Sequence, residues 1–299
     1  MISKNVLAIT SVIIISGIVV TYFLLESDNV SIEANDIFNI DITPIKLAEK
    51  GEGDIFTSEE SDLFEVFAYE SDLSVNSKGV HIAKYMHFKL KNENKDIYRE
   101  IGVTANSKEA VVVVPFFTMT AYADSGFYEY YKEKCDESCI ESVPLKYDTQ
   151  PTFESSEVGI RILKLLGYPI ITDIEVDKYP DLLKEFDKVI LLHNEYVTRT
   201  EFDAIIDHPK VIYLYPNALY AEISVDYENQ TITLERGHNF PEPQIRNGFD
   251  WKFDNSKLEY DDCSSSWEFS NTDNGIMLSC YPEHIMFKDH ELLKRIKDY

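Results

Sequence analysis

The sequence predicts an α/β protein built on a doubly wound, mainly parallel sheet, and three observations support this. Short apolar runs at 111–117, 170–174, 188–192 and 211–214 have the length and the β-branched content of strands. Their continuous apolar character is typical of strands that are covered on both faces. Segments with helix-capping residues separate the runs, as expected when helices connect parallel strands.

Local signals between these runs predict the connecting elements. A polar loop is expected at 118–126 and a helix at 127–134. A second helix should begin at Ser155 or Ser156 and stop at Gly167. Thr198 and Glu201 have the spacing of a capping box for a further helix.

The character of the sequence changes along the chain and suggests four regions. After residue 223 the pattern becomes that of β-hairpins, including a turn at 273–275. The predicted regions are a transmembrane anchor at 1–25, an acidic juxtamembrane linker at 26–60, an α/β core at 61–223 and a β-rich extension packed on it at 224–299.

The N-terminus predicts the location of the protein. The run from Val6 to Leu25 carries no charge and is long enough to span a bilayer as a helix. Lys4 precedes this run and acidic residues follow it, so the bulk of the chain is expected outside a cell membrane that it crosses once. A cleaved signal peptide is the alternative, although no small-x-small cleavage site follows the apolar core.

Charge and cysteine content support this location and limit the partners. The 53 acidic and 28 basic residues give a formal charge of −25, which disfavours nucleic-acid binding but would suit a hard cation. Asn29 and Asn229 stand in glycosylation sequons. The four cysteines form two local pairs, expected as disulfides in an oxidising compartment, with a zinc site as the alternative: Cys135 with Cys139 and Cys263 with Cys280.

Polar residues follow three of the predicted strands and are expected to meet at one edge of the sheet. His193 and Glu195 are the candidate catalytic base and its orienting partner. The candidate ligand-binding residues are Tyr122, Asp124, Asn194, Asn217 and Tyr220. The alternative is that these side chains cap helices and satisfy loop backbones without any ligand.

Other chemistry has less support in the sequence. There is no G-x-S-x-G motif, no glycine-rich nucleotide motif and no unpaired cysteine after a strand. Four residues of the C-terminal region could complete a site, but a structural role in turns is favoured for them: His238, Glu242, Glu283 and His284.

The segment from His193 to Thr198 resembles a motif of a known family. Its His-x-Glu-Tyr-x-Thr pattern resembles a segment of the glutamine-amidotransferase-like domain in the large subunit of N,N-dimethylformamidase-type proteins, with Val197 where that pattern prefers Trp. The resemblance implies a flavodoxin-like sheet without the nucleophilic cysteine. It also implies a tyrosine- and glutamate-ligated iron that hydrolyses amides, with Tyr196 as one ligand and Glu195 or Glu222 as another.

Two hypotheses of function follow. The first is a membrane-anchored extracytoplasmic domain that binds a small molecule or a cell-surface protein without turnover. The second is a metal-dependent amide hydrolase that uses a divalent metal or iron, with His193 as general base.

Overall fold

The structure is a computed structural model, which describes residues 55–58, 60–75, 81–83, 85–104, 106–147, 149–264 and 266–299. The predicted anchor at 1–25 and most of the linker at 26–60 lie outside these residues. Within the described residues, no helix is both long enough and apolar enough to cross a membrane.

The described residues form strands and helices that are numbered here in chain order. The strands are β1 (Ile55–Ser58), β2 (Phe64–Tyr69), β3 (Leu73–Val75), β4 (His81–Ala83), β5 (His87–Leu90), β6 (Val111–Val114), β7 (Val143–Pro144), β8 (Ile170–Thr172), β9 (Val189–Leu191), β10 (Tyr196–Thr198), β11 (Val211–Tyr213), β12 (Ala221–Asp226), β13 (Thr231–Arg236), β14 (Phe269–Asn271) and β15 (Gly275–Leu278). The α-helices are α1 (Lys95–Ile101), α2 (Phe116–Tyr122), α3 (Tyr128–Tyr131), α4 (Ser138–Glu141), α5 (Glu157–Leu165), α6 (Asp173–Lys178), α7 (Arg199–Asp207) and α8 (His290–Asp298).

A six-stranded sheet organises the fold, in the order β14-β15-β11-β9-β6-β8. All neighbours from β15 to β8 are parallel, and β14 is antiparallel to β15. The four predicted strands are therefore confirmed, as is the α/β class with mixed sheets. Every residue of Val111–Val114 is buried, as expected for β-branched residues in a sheet covered on both faces.

The order of the parallel strands locates a reversal in the chain path. Numbered along the chain, the strands β6, β8, β9, β11 and β15 lie in the order 2-1-3-4-5. The path moves outward from β6 to β8 and then returns to β9 on the other side of β6. The hairpin of β14 and β15 comes from the predicted extension at 224–299, so this extension supplies two strands of the central sheet.

Smaller sheets surround the central one. The second sheet has the order β10-β12-β13-β7, in which β10 and β12 are parallel and β12 and β13 form the antiparallel hairpin predicted after residue 223. The order β1-β2-β5 defines a third sheet, and β3 pairs with β4.

The loop predicted at 118–126 is wrong in its first half, and the strand predicted at 170–174 is two residues too long. The segment predicted as a loop at 118–126 is helical as far as Tyr122, in the buried helix α2. The carboxylate of Asp173 accepts a hydrogen bond from the backbone N–H of Phe117 at 2.8 Å and so satisfies the start of α2. The strand predicted at 170–174 ends at Thr172, which caps α6 in a capping box with Glu175.

The remaining local predictions hold with small changes. Helix α5 ends just before Gly167, whose φ of +86° is the left-handed conformation expected at a helix stop. The hydroxyl of Thr198 accepts a hydrogen bond from the backbone N–H of Glu201 at 3.1 Å and caps α7. The helix predicted at 127–134 is shorter, since α3 spans only Tyr128–Tyr131.

The cysteine pairing predicted from the sequence is confirmed. Cys135 bonds to Cys139 with a sulfur–sulfur distance of 2.03 Å. Cys263 bonds to Cys280 at 2.06 Å, close to the end of β15. Pairing of this kind is typical of proteins that fold in an oxidising compartment.

Candidate functional site

Polar side chains follow all five parallel strands at their carboxyl ends. Tyr122 belongs to the helix that follows β6, and Asp173 begins the helix after β8. Glu195 lies between β9 and β10, whereas Asn217 follows β11 and Glu283 follows β15. Because the strands are parallel, these groups are brought to one edge of the sheet.

The carboxylate of Glu195 is the centre of a cluster at this edge, and its side chain is fully buried. The hydroxyl of Tyr122 donates a hydrogen bond to Oε2 of Glu195. Nε2 of His238 lies within hydrogen-bond distance of Oε1. Nε2 of His193 lies 3.8 Å from Oε2, too far for a hydrogen bond.

Backbone contacts hold Glu195 in place. The hydroxyl of Thr118, in α2, accepts hydrogen bonds from the backbone N–H groups of Glu195 at 3.0 Å and Tyr196 at 3.2 Å. The carbonyl of Glu195 accepts bonds from the backbone N–H groups of Tyr220 and Ala221. Two other segments of the chain therefore fix the backbone that carries the carboxylate.

The contacts of Glu195 set its charge. Burial by itself would raise the pKa of Glu195, but the charge and hydrogen bond of His238, together with His193 and Tyr122, outweigh it and hold the pKa below its ordinary value. Burial lowers the pKa of His193, and Glu195 opposes this only in part. At neutral pH the cluster therefore contains an ionised Glu195 and a neutral His193.

The tautomer of His193 follows from its other contact. Nδ1 of His193 lies 2.5 Å from the carbonyl oxygen of Glu154, which can only accept a hydrogen bond. In the neutral ring Nδ1 therefore carries the proton and Nε2 is a bare acceptor. Within the described part of the chain, Nε2 of His193 and the hydroxyl of Tyr196 are buried without a hydrogen-bond partner.

Four tyrosines surround the ring of His238, and we call this group the tyrosine cage. The ring of Tyr196 is stacked on it with an interplanar angle of 11° and a centroid distance of 5.4 Å. The other three centroid distances are 4.8 Å for Tyr220, 5.2 Å for Tyr131 and 6.5 Å for Tyr128. His238 thus occupies the cage with its Nε2 directed at Glu195.

The cage opens toward solvent through partly exposed groups. The His238 side chain is 20% exposed, whereas that of Glu195 is not exposed at all. Tyr128, Tyr131 and Glu259 are half-buried around it. Burial and the charge of Glu195 raise the pKa of Glu259 to about 7, although His238 lowers it. A second carboxyl group therefore titrates near neutral pH at the mouth of the cage.

The structure brings together five of the nine predicted site residues. Tyr122, His193, Glu195 and Tyr196 form the cluster, and Tyr220 belongs to the cage. The side chain of Asn194 has a structural contact, because its Oδ1 accepts a hydrogen bond from the backbone N–H of Leu192 at 3.0 Å.

Asp124, Asn217 and Glu222 make their described contacts with residues outside this cluster. Asp124 is exposed, and its carbonyl accepts a bond from the Lys146 ammonium. The backbone N–H of Asn217 donates to the side chain of Asn255 at 2.9 Å, which fixes a loop. The contacts of Asp124 and Asn217 are therefore those of structural residues in loops, where backbone groups are satisfied by nearby side chains.

The position of Glu222 follows from the pairing of β10 and β12. Tyr196 pairs with Ala221 and Val197 with Glu222, so Glu222 and Tyr196 lie on opposite faces of the second sheet. Both oxygens of Glu222 bind the guanidinium of Arg199, at 3.0 and 2.7 Å. Glu222 is therefore not available as a second ligand beside Tyr196.

Sequence reasoning named His238 but favoured a structural role in a turn for it, and did not identify it as the imidazole that reaches solvent. His238 follows Gly237 in the turn that comes directly after β13. It lies 43 positions after Glu195 in the chain. The only local signal was a histidine in a turn rich in Pro and Gly. Tyr128 and Tyr131 had a clearer signal, since a spacing of three places both on one side of a helix.

A second group of carboxyls lies at the same edge of the sheet. Asp173 and Glu201 are fully buried, and Oδ1 of Asp173 and both carboxyl oxygens of Glu201 have no hydrogen-bond partner among the described residues. Burial raises the pKa of both groups well above the ordinary value, and the charge of Asp177 adds to this. Asp177 itself accepts bonds from the hydroxyls of Thr198 and Tyr227.

Comparison with known proteins and a search for metal-binding geometry add no assignment. No model of a known protein family matches the chain, and no curated protein has significant similarity to it. Within the described ranges, no group of three or more His, Cys, Asp or Glu side chains has an arrangement that could hold a metal ion.

Proposed function

We propose that the chain is a membrane-anchored, extracytoplasmic α/β protein with a flavodoxin-like sheet, which binds a ligand at the Glu195 cluster without turnover. The observation that carries this proposal is the position of Glu195 where the path of the chain reverses. In open α/β sheets, ligands bind outside the carboxyl ends of the strands at such a reversal. Tyr122 follows β6 and Glu195 follows β9, and these neighbouring strands flank the reversal.

The electrostatics of the cluster support a binding role. A buried charge is costly and is retained where it is paired or has a function. Glu195 is ionised and buried, and its partner His238 is the part of the cluster that reaches solvent. A ligand that reaches the cage would therefore meet a preformed charge.

The extracytoplasmic location is supported by features outside the site. Both disulfides suit an oxidising compartment. Asn229 is exposed in the turn between β12 and β13, where a glycan would meet no packed surface. The uncharged run from Val6 to Leu25 supplies the anchor.

The test of the binding role uses selective ¹³C labelling of the histidines of the full chain in detergent micelles. Mixtures of amines, carboxylates, amino acids and neutral sugars are added, and the signals of His238 and His87 are compared. His87 is a matched control because it also pairs with a carboxylate, Asp72 at 3.0 Å, and packs on Phe67 and Tyr69.

We expect at least one class of compound to shift the His238 signals and leave those of His87 unchanged. No shift with any class, or equal shifts at both histidines, would contradict a binding site at Glu195.

The anchor and the orientation are tested separately. Protease added outside intact cells should digest the chain, and peptides from residues 1–25 should be recovered from the membrane fraction. Recovery of a mature N-terminus near residue 26 would show instead that the protein is released.

A metal-dependent amide hydrolase is the second candidate, favoured by the bare Nε2 of His193 and the unpartnered hydroxyl of Tyr196 near Glu195. Imidazole, tyrosine and carboxylate together are donors that an iron or divalent metal accepts. The donor set is smaller than this hypothesis needs, because Glu222 binds Arg199.

Metal analysis of the full chain separates the two candidates. A stoichiometric metal that is lost on Tyr196→Phe and retained on Tyr213→Phe would support the hydrolase. Tyr213 is a suitable control because it is buried in the central sheet and bonds to Asn274. A folded protein without metal would contradict the hydrolase.

A further inference from the structure

The tyrosine cage places aromatic rings at the distances of a cation site, with the face of Tyr196 toward its centre. Ring centroids within about 6 Å of a cation attract it through the negative potential of the ring face. Three of the four cage rings lie 4.8 to 5.4 Å from the centre of the His238 ring. His238 therefore occupies the position that a cationic group would take among these rings.

The charges around the cage are mainly negative. Glu195 lies at its inner end, and the half-buried Glu259 lies close enough for the charge of Glu195 to act on it. Arg246 interacts with the hydroxyl of Tyr220 at the rim, and its own side chain is exposed. An anion would be repelled by Glu195, and a neutral molecule that displaced His238 would leave this buried carboxylate without a counter-ion.

The segment that carries His238 has few other attachments through its side chains. From Asn239 to Arg246 all side chains except those of Phe240 and Ile245 are exposed. Backbone bonds from His238 to Arg246 at 2.9 Å and from Asn239 to Ile245 at 2.7 Å close the segment on itself. Moving it away would uncover the cage rings, Phe240 and Ile245, so a ligand that displaces His238 has to cover the rings again.

We propose that the cage binds an organic cation, with an ammonium, imidazolium or guanidinium group, which takes the place of His238 beside Glu195. This inference rests on the proposed binding role and specifies its ligand class. The incoming cation replaces both interactions of His238, the contact with the carboxylate and the contact with the ring of Tyr196.

Competition with His238 predicts how the affinity depends on this residue. A tethered group competes at an effective concentration in the millimolar range or above. Wild-type protein should therefore bind a simple cation weakly, and removal of the imidazole should increase the affinity by roughly tenfold or more.

The test is calorimetric titration of the full chain in detergent with choline and with its neutral isostere 3,3-dimethylbutan-1-ol. The variants are His238→Ala, the double variant His238→Ala/Glu195→Gln, and His87→Ala as the matched control. His238→Gln serves as a second variant, because it removes the ring and the charge but keeps a donor for Glu195.

We expect choline to bind wild type measurably and to bind His238→Ala and His238→Gln at least about tenfold more tightly. The double variant should lose this gain, and His87→Ala should behave as wild type. The neutral isostere should bind each protein at least about tenfold more weakly than choline, because it lacks the charge that Glu195 and the rings attract.

Three results would overturn the proposal. The first is equal affinity for choline and its neutral isostere. The second is no choline binding to a folded His238→Ala or His238→Gln variant. The third is binding to these variants but none to wild type at about 100 mM choline, well above the effective concentration of a tethered group. If sugars or carboxylates shift the His238 signals while choline fails, the ligand class is wrong and the binding role stands.

Discussion

The Glu195 cluster and the Asp173–Glu201 pair are two buried acidic groups at the same edge of one sheet, and they differ in their partners. Glu195 has His238 and Tyr122 on its two oxygens, and its pKa lies below the ordinary value. Within the part of the chain that the structure describes, three oxygen atoms of Asp173 and Glu201 have no partner, and burial holds the pKa of both groups well above the ordinary value.

The difference shows that burial alone does not decide the charge of a carboxyl group. The contacts with His238 and Tyr122 keep Glu195 ionised, whereas two neighbouring carboxyls without such partners favour the protonated form. The charged cluster reaches solvent through His238, and the other pair is enclosed between α6 and α7. This contrast is why we assign the binding role to the Glu195 cluster rather than to the pair.

The largest effect on stability is expected from His238→Phe. This substitution would leave Glu195 without an imidazole partner, as Glu201 is among the described residues. Phenylalanine keeps a ring in the cage but leaves the buried carboxylate without its imidazole partner. We expect a loss of about 3 kcal/mol in unfolding free energy at pH 7, the low end for a broken buried pair because His238 is partly exposed. Urea unfolding of the full chain, compared with wild type, measures this.

The same variant should respond to pH in a diagnostic way. Without His238, burial is expected to raise the pKa of Glu195, so protonation at lower pH relieves the cost and the difference from wild type shrinks toward pH 5. His87→Phe is the control, and its partly exposed pair with Asp72 should cost about 1 kcal/mol or less. A loss at His238 no larger than at His87 would contradict the account of the cluster.

The next effect comes from Tyr122→Phe, which removes a hydrogen bond to the charged carboxylate. Such bonds contribute about 1.5–3 kcal/mol, so we expect a loss of about 2 kcal/mol at pH 7. Tyr131→Phe is the matched control, because the hydroxyl of Tyr131 is buried with no hydrogen-bond partner among the described residues, and its loss should change stability by about 0.5 kcal/mol or less. Equal losses for the two variants would show that Tyr122 does not stabilise the ionised form.

The comparison also explains which features the sequence could predict. The strands β6, β9 and β11 are continuous apolar runs, and the segment from His193 to Tyr196 follows one of them directly. Strand β15 is a short stretch within a hairpin, and its pairing with β11 depends on contacts across more than 60 residues. Sequence periodicity reports which residues are buried but not which distant strand they meet.

The same limit applies to the partners of the acidic groups. Glu195 and Glu201 both stand near the ends of strands, and nothing local distinguishes them. The contact with His238 distinguishes Glu195 from Glu201, and His238 is distant from both in the chain. Asp173 was expected within a strand, whereas it caps α2 through a contact over 56 positions. The position of these residues at the carboxyl ends of the strands could be predicted from the sequence. The protonation state of each acidic side chain there could not.

The smallest effect is expected from Glu201→Gln, and its sign is opposite. Because the pKa of Glu201 is raised in the folded state, its contribution to stability is complete below the ordinary value of 4.5 and is lost as the pH rises. Each pH unit within the window between the unfolded and folded pKa values costs about 1.4 kcal/mol per group. Glutamine cannot ionise, and its amide can donate to the unpartnered oxygen of Asp173.

Glu201→Gln should therefore match wild type near pH 4.5 and exceed it by about 1.4 kcal/mol one pH unit higher, as measured by urea unfolding across this range. Asp203→Asn is the control, since Asp203 is exposed on the same helix and its variant should follow the wild-type profile. If Glu201→Gln kept the wild-type slope, Glu201 would have to be ionised in the folded state. The two acidic groups would then share one protonation state, and the presence of His238 would not be what distinguishes them.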